Sequence, residues 1–321
     1  MKHLEAGFYG NNSFCRYLGM TLAIFFGVAS IGQIPLLIVL FVKGFSADRN
    51  LAEASANTMD FSQYGISNNL GLFLMLLSFV ACFFGFWLLI KPIHKRTMLQ
   101  TINGGRKIRW NHIAMGALIW GIISITMTWI DYTQNPENYV LQFDAIKFGA
   151  LLLIVLTILL IQTSFEEVFF RGYLSQGIAQ KSRNRWVVLI VVSVVFGLLH
   201  SANPEVKEYG FLLAMPQYII MGLILGIMSI VDDGIETAMG MHFANNSIAA
   251  LITTNKASAI QTDAIFETVN VDLRMIDNVY TAIAGLIALL ILSLIFKWDF
   301  SIINKKIEPE TPSIPVSFLA Q

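Results

Sequence analysis

The chain has 321 residues, 55% of them hydrophobic and only 13% charged, and its mean hydropathy is +0.65. Soluble domains carry about 25% charged residues, so the composition excludes a soluble globular protein and points to an integral membrane protein. The 21 basic and 21 acidic residues cancel, which removes the basic surplus that a nucleic-acid partner requires.

Met1 to Arg16 holds polar residues such as Asn11 and Asn12. It precedes an apolar run too long for the h-region of a signal peptide, so it does not read as a leader. Runs of spanning length then lie at about 18–42, 69–90, 112–130, 147–165, 186–200, 211–231, 237–254 and 280–296. A span needs about 20 residues. The fifth run is short. The seventh is polar enough to suggest a helix enclosed by others. No linker of domain-boundary character and no internal repeat interrupts the series. The expectation is an all-α fold, a polytopic membrane helix bundle of about eight transmembrane helices, forming one unit over residues 1–303. The tail over 304–321, with Pro309, Pro312 and Pro315, reads as flexible. Cys15 and Cys82, in or beside apolar runs, read as free thiols rather than a disulfide framework.

Charge in the loops sets an orientation, because basic residues collect on the cytoplasmic side. With the N-terminus inside, fifteen of the 21 Lys and Arg fall on inner segments, including Lys91, Lys95, Arg96, Arg106, Lys107, Arg109, Lys181, Arg183 and Arg185. The outer loops are acidic, with Asp60, Glu137, Asp144, Glu205, Glu208, Asp263 and Asp272 among them. Only the short Asp232–Asp233 turn breaks the alternation, having no basic residue. Both termini are therefore expected in the cytoplasm.

Ionisable groups inside spanning segments are costly and are functional candidates. Glu166 and Glu167 end the apolar run Leu151–Phe165 and are followed by Arg171; His200 ends the run from Trp186; His242 and Asn246 lie in the seventh segment. The fourth helix is expected to continue past the glutamates and to turn near Ser182–Arg185. Glu167 and His200 then lie equally far from the midpoint of that turn, about 25 Å along each helix at 1.5 Å per residue. His242 starts only about two helical turns beyond Asp233–Gly234, so it is expected nearer the cytoplasmic side. Glu167 and Arg171 are i,i+4 neighbours that can pair. Glu166 faces about 100° away without that partner, which makes it the candidate general base, with Glu167 and Arg171 in support. His242 and Asn246, also i,i+4, can offer two donors to an oxyanion. Phe196 reads as packing, His94 with Lys95 and Arg96 as a charge cluster on the inner face, His112 as interfacial, and Met215, Met221, Met228, Met239 and Met241 as packing or cavity lining.

Three stretches carry a resemblance: Glu166-Glu167-Val168-Phe169-Phe170-Arg171 with Gly172-Tyr173-Leu174, then Phe196-Gly197-Leu198-Leu199-His200, then His242-Phe243-Ala244-Asn245-Asn246. In order and spacing they resemble the motifs of the CPBP family, the CAAX-protease and bacteriocin-processing membrane proteins also called Abi, over a core of about 145–255. The resemblance implies an intramembrane endopeptidase in which Glu166 with His200 activates water, and His242 and Asn246 stabilise the oxyanion. It implies no cofactor. Glu and His are also zinc-ligand types, and members were long labelled metalloproteases, so the sequence leaves metal open, although there is no His-Glu-x-x-His helix. The implied partners are the lipid bilayer and a membrane-associated peptide or protein, and the plain charge bias suits a bacterial inner membrane. The family's eukaryotic substrates are prenylated CAAX proteins; a peptide pheromone, a bacteriocin leader or a membrane-protein tail are the bacterial alternatives. A non-catalytic membrane regulator of the same family is the competing reading. A transporter ranks third, for want of an internal repeat.

Overall fold

The computed structural model describes residues 2–44 and 58–309. Eight long helices dominate it: α1 (Phe14–Gly44), α2 (Asn68–His94), α3 (Trp110–Gln134), α4 (Ala145–Ser182), α5 (Arg185–Leu198), α6 (Phe211–Val231), α7 (Glu236–Ile252) and α8 (Met275–Phe296). All except α5 and α7 are long and apolar enough to cross a membrane, which gives six such helices among the described residues. α5 has 14 residues and α7 has 17. The chain is thus a polytopic helix bundle. Its only described sheet is a small one, in the order β1 (Tyr139–Leu141), β3 (Phe266–Thr268), β2 (Thr253–Thr254), with β1 antiparallel and β2 parallel to β3.

Helix starts follow local side-chain chemistry. Ser67 caps α2, Asp144 accepts from the Ile146 and Lys147 amides at the start of α4, and Asn184 accepts from Trp186 and Val187 at the start of α5. α4 does run past the glutamates, for 38 residues, and ends at Arg183, which takes a left-handed conformation at φ 53. Two π-helical stretches widen it, Val155–Leu159 and Val168–Leu174. The second begins at the residue after Glu167. π-bulges concentrate at functional sites.

α7 is enclosed as its polarity suggested, with Ala238, Met241, His242 and Ala250 buried. Its closest neighbour is α3. A Cβ on Gly116 would strike the Thr237 carbonyl and one on Gly240 the Ile113 carbonyl, so these two glycines permit the approach. Bulky apolar side chains such as Trp129, Leu153, Leu286 and Leu294 remain outside the bundle, as expected of a surface that lipid covers. Met215, Met228 and Met241 are buried core residues, and both cysteines are free.

One end of the bundle collects the basic segments, and there the structure departs from the sequence reading. The acidic Asp232–Gly234 turn is recessed. Arg109 pairs with Asp232 at 3.1 Å and with Glu236 at 2.5 Å, Arg106 pairs with Asp233 at 3.0 Å, and His112 meets Asp232 at 3.0 Å. The missing basic charge is supplied by the segment before α3, and His112 is a member of this network, stacked on Phe296 at 3.9 Å. The helical turn Leu4–Phe8 folds beneath the same place. The His3 amide donates to Asp233 at 2.8 Å while its ring Nε2 donates to the Arg171 carbonyl at 2.9 Å. The Asp232–Gly234 turn is therefore level with Arg171, about 18 Å up α4 from Arg183 at 1.5 Å per residue.

Two further readings are corrected. His94 and Arg96 are buried rather than clustered on a surface: His94 Nε2 meets the Tyr173 hydroxyl at 2.8 Å, and Arg96 donates to Gln176 at 2.7 Å. The start of the tail is packed, since Ile307 is buried and its amide donates to the Arg183 carbonyl at 3.0 Å. Residues 310–321 of the tail lie outside the described residues.

Candidate active site

Glu166 and Glu167 sit side by side on α4, and both are buried, at 6% and 0% exposure. Each belongs to its own stripe of the helix. On one stripe Arg171 Nη1 donates to Glu167 Oε1 at 2.9 Å, the i,i+4 pair expected from the spacing. The guanidinium also lies over the Phe196 ring, 4.2 Å from its centroid. On the other stripe the Gln162 amide donates to Glu166 Oε1 at 2.6 Å, again across i,i+4. Glu166 is therefore not without a partner, as the sequence reading had it. Its partner is a neutral amide, which leaves its charge uncompensated where Glu167 has a guanidinium.

α7 brings His242 against both stripes. Its Nδ1 donates to Glu167 Oε1 at 2.7 Å, and its Nε2 lies 3.6 Å from Glu166 Oε2. The expected offset of His242 in depth is absent, because the recessed turn starts α7 well inside the bundle. Asn246, one turn further, donates to Gln162 Oε1 at 3.5 Å and accepts from Asn245 at 3.1 Å; Asn245 in turn accepts from Trp120 Nε1 at 3.0 Å. One chain of bonds thus runs from Trp120 of α3 through Asn245, Asn246 and Gln162 to Glu166, a second from His242 through Glu167 to Arg171, and the 3.6 Å approach of His242 to Glu166 sets them side by side.

His200 stands apart from that chain. It follows the end of α5, where its Nδ1 donates to the Phe196 carbonyl at 2.7 Å. Its ring packs between Phe196, at 4.6 Å, and Tyr218 of α6, at 4.5 Å. Phe196 also presents to His242 edge-on at 6.2 Å. Of the six candidates, the structure joins Glu166, Glu167, Arg171, His242 and Asn246 by hydrogen bonds or close approach, and holds His200 outside that set, against Phe196 and Tyr218.

A profile of the type II CAAX prenyl endopeptidase Rce1-like family matches residues 148–248. That interval runs from α4 into α7 and holds all six candidates. A longer stretch is similar to the uncharacterized protein YyaK of Bacillus subtilis (strain 168), 30% identical over 251 residues, 78% of this chain and 81% of that protein. The chain belongs to the CPBP family. No solved structure matches it significantly. The Rce1-like group is a protease family, and the six long apolar helices among the described residues make this CPBP chain a multi-pass membrane protein of that family.

Several residues of the CPBP site were invisible as site residues in the sequence. Gln162 could have been found as the polar residue one turn before Glu166 inside an apolar run. Asn245 stands within the third motif, but nothing in the chain announces its bond to Trp120. Phe196, read as packing, touches Arg171, His200 and His242 at once. Tyr218 gave no signal at all.

Proposed function

We propose that this CPBP protein is an intramembrane endopeptidase with Glu166 as general base, acting on a membrane-associated peptide or protein of the CAAX type for which its family is named. The observation that supports this is the position of His242, bonded through Nδ1 to Glu167 and facing Glu166 through Nε2. In the role we assign it, His242 spends its Nδ1–H on Glu167 and aims Nε2–H at a developing oxyanion, and the Arg171 guanidinium beside Glu167 leaves Glu166 as the carboxylate that takes a proton.

The chemistry follows. Glu166, with His200, positions a water and removes a proton from it as the oxygen attacks the scissile carbonyl. His242 Nε2–H and the Asn246 amide stabilise the tetrahedral oxyanion. On collapse the C–N bond breaks and the proton held by Glu166 passes to the leaving amine, so water is divided between the two products. Arg171 and Glu167 hold His242 in place and do not exchange protons.

We read the reaction as metal-independent. Glu167 is bound by Arg171 and His242 Nδ1, and His200 Nδ1 by the Phe196 carbonyl. Glu166 Oε2 and His242 Nε2 adjoin at 3.6 Å, and among the described residues no three His, Cys, Asp or Glu side chains are grouped so as to hold one ion. The distribution of basic residues supports a bacterial plasma membrane with both termini in the cytoplasm.

The test compares peptides released by membranes that contain the wild type or Glu166→Gln, by mass spectrometry, together with cleavage of a prenylated CAAX peptide by purified protein before and after exhaustive chelation. Release is expected to vanish in Glu166→Gln with unfolding unchanged, and cleavage to survive chelation. Equal release from both proteins refutes Glu166 as the base. Loss on chelation, restored by added zinc, reassigns these residues to a metal.

A further inference from the structure

His200 lies past the last residue of α5, Leu198. Its backbone is tied by two turn bonds, its amide donating to the Gly197 carbonyl at 2.8 Å and its carbonyl accepting from the Asn203 amide at 3.0 Å, and neither fixes the ring. A side chain in such a place keeps its rotamer freedom unless packing removes it. Here packing removes it from two sides. Phe196 tilts against one face, and Tyr218 stacks on the ring at 4.5 Å with an interplanar angle of 23°. Tyr218 is itself anchored. Its hydroxyl accepts from Asn203 Nδ2 at 2.9 Å and faces the carboxylate of Glu205. Glu205 is in turn held by the Ala259 amide at 2.8 Å, which ties the turn after α5 to the loop after β2.

We propose that Tyr218 is a positioning residue for His200, its ring a platform and its hydroxyl a tether, so that His200 holds one tautomer with Nδ1–H on the Phe196 carbonyl and Nε2 free as the acceptor. This deepens the reading of His200 as a partner of Glu166 and rests on it. The Phe196 carbonyl is one of those that a helix end leaves without an intrahelical partner, so His200 caps α5 with the same bond that sets its tautomer. The stack keeps the ring in the plane in which that bond can form. Without the platform the ring can rotate about its χ angles, Nδ1 leaves the carbonyl, and both tautomers become accessible.

The experiment reads His200 directly and needs no substrate. Full-length protein labelled with nitrogen-15 at histidine is placed in lipid bilayers for solid-state NMR, and the His200 signals are identified by their loss in His200→Ala. The wild type is expected to show one protonated and one unprotonated ring nitrogen from a single tautomer. Tyr218→Leu is expected to show a mixture, and Tyr218→Trp, which restores a stacking ring, a single tautomer again. Asn203→Ala removes one of the two partners of the hydroxyl without touching the ring and gives a smaller change in the same direction; it also serves if Tyr218→Leu does not fold. A parallel assay on a prenylated CAAX peptide is expected to show kcat lowered on the order of 100-fold in Tyr218→Leu, as for other misplaced catalytic groups, with KM little altered. A single tautomer retained in both Tyr218→Leu and Asn203→Ala overturns the proposal, as does a Tyr218→Leu defect confined to KM. If Glu166→Gln or His200→Ala keeps wild-type cleavage, the catalytic reading has failed instead, and the NMR result still decides whether Tyr218 orders the ring.

Discussion

Arg171→Met should be among the most damaging single changes in the protein, and the structure sets the scale. Arg171 and Glu167 are 1% and 0% exposed and 2.9 Å apart. Removing one partner of a buried pair leaves the other charged and desolvated, at a cost of about 3–5 kcal/mol. Loss of the guanidinium from the Phe196 face falls within the same measurement. The double variant Glu167→Gln with Arg171→Met removes both charges, so most of that loss should return. Activity should not return with it. His242 then has a neutral amide in place of a carboxylate at Nδ1, and replacing the carboxylate that orients a catalytic histidine lowers rates by at least about 100-fold. Stability is measured by SDS titration in mixed micelles and activity by peptide release. If Arg171→Met unfolds within about 1 kcal/mol of wild type, the pair is not buried as described. If the double variant is as unstable as the single one, the cost is not that of a lone carboxylate.

Two other expectations can be checked. Burial pushes His3 below its ordinary value of 6.5, and its Nδ1 has no partner among the described residues, so protonation would bury an unpaired N–H. The unfolded segment binds the proton more readily than the docked one, and the docking of residues 2–8 should weaken as pH falls below about 6.5; the protection of these amides, taken relative to their intrinsic exchange rates, should fall between about pH 7.5 and about pH 5.5. His3→Gln should flatten that response, and a response unchanged in His3→Gln removes His3 as its source. Orientation is tested by cysteine labelling in intact cells: Glu137→Cys should react with an impermeant reagent and Lys181→Cys should not, and the reverse pattern inverts the assigned topology.

The extent of each helix was legible in this chain and its rotation was not. Apolar runs located all eight helices to within a few residues, and the extension of α4 past Glu167 followed from the absence of a breaker before Ser182. The level of His242 was misjudged because it was counted from the Asp232–Gly234 turn. That turn is set deep by His3, Arg106 and Arg109, residues remote in sequence that hydropathy cannot connect to it. The partners of the site were hidden for a different reason. Hydropathy orders residues along the membrane normal, whereas bonding in the site depends on how each helix is turned about its own axis. On α4 the spacing does define two stripes, Gln162–Glu166 and Glu167–Arg171, each an i,i+4 pair. Nothing in the sequence says which neighbouring helix faces the groove between them. Gly116 and Gly240 decide it, by letting α7 press against α3. In that setting Trp120 can hold Asn245 while the His242 ring meets both glutamates. The glutamates supply the chemistry, but which of them can act as a base depends on that rotation. Arg171 neutralises one stripe, and His242 reaches the carboxylates of both.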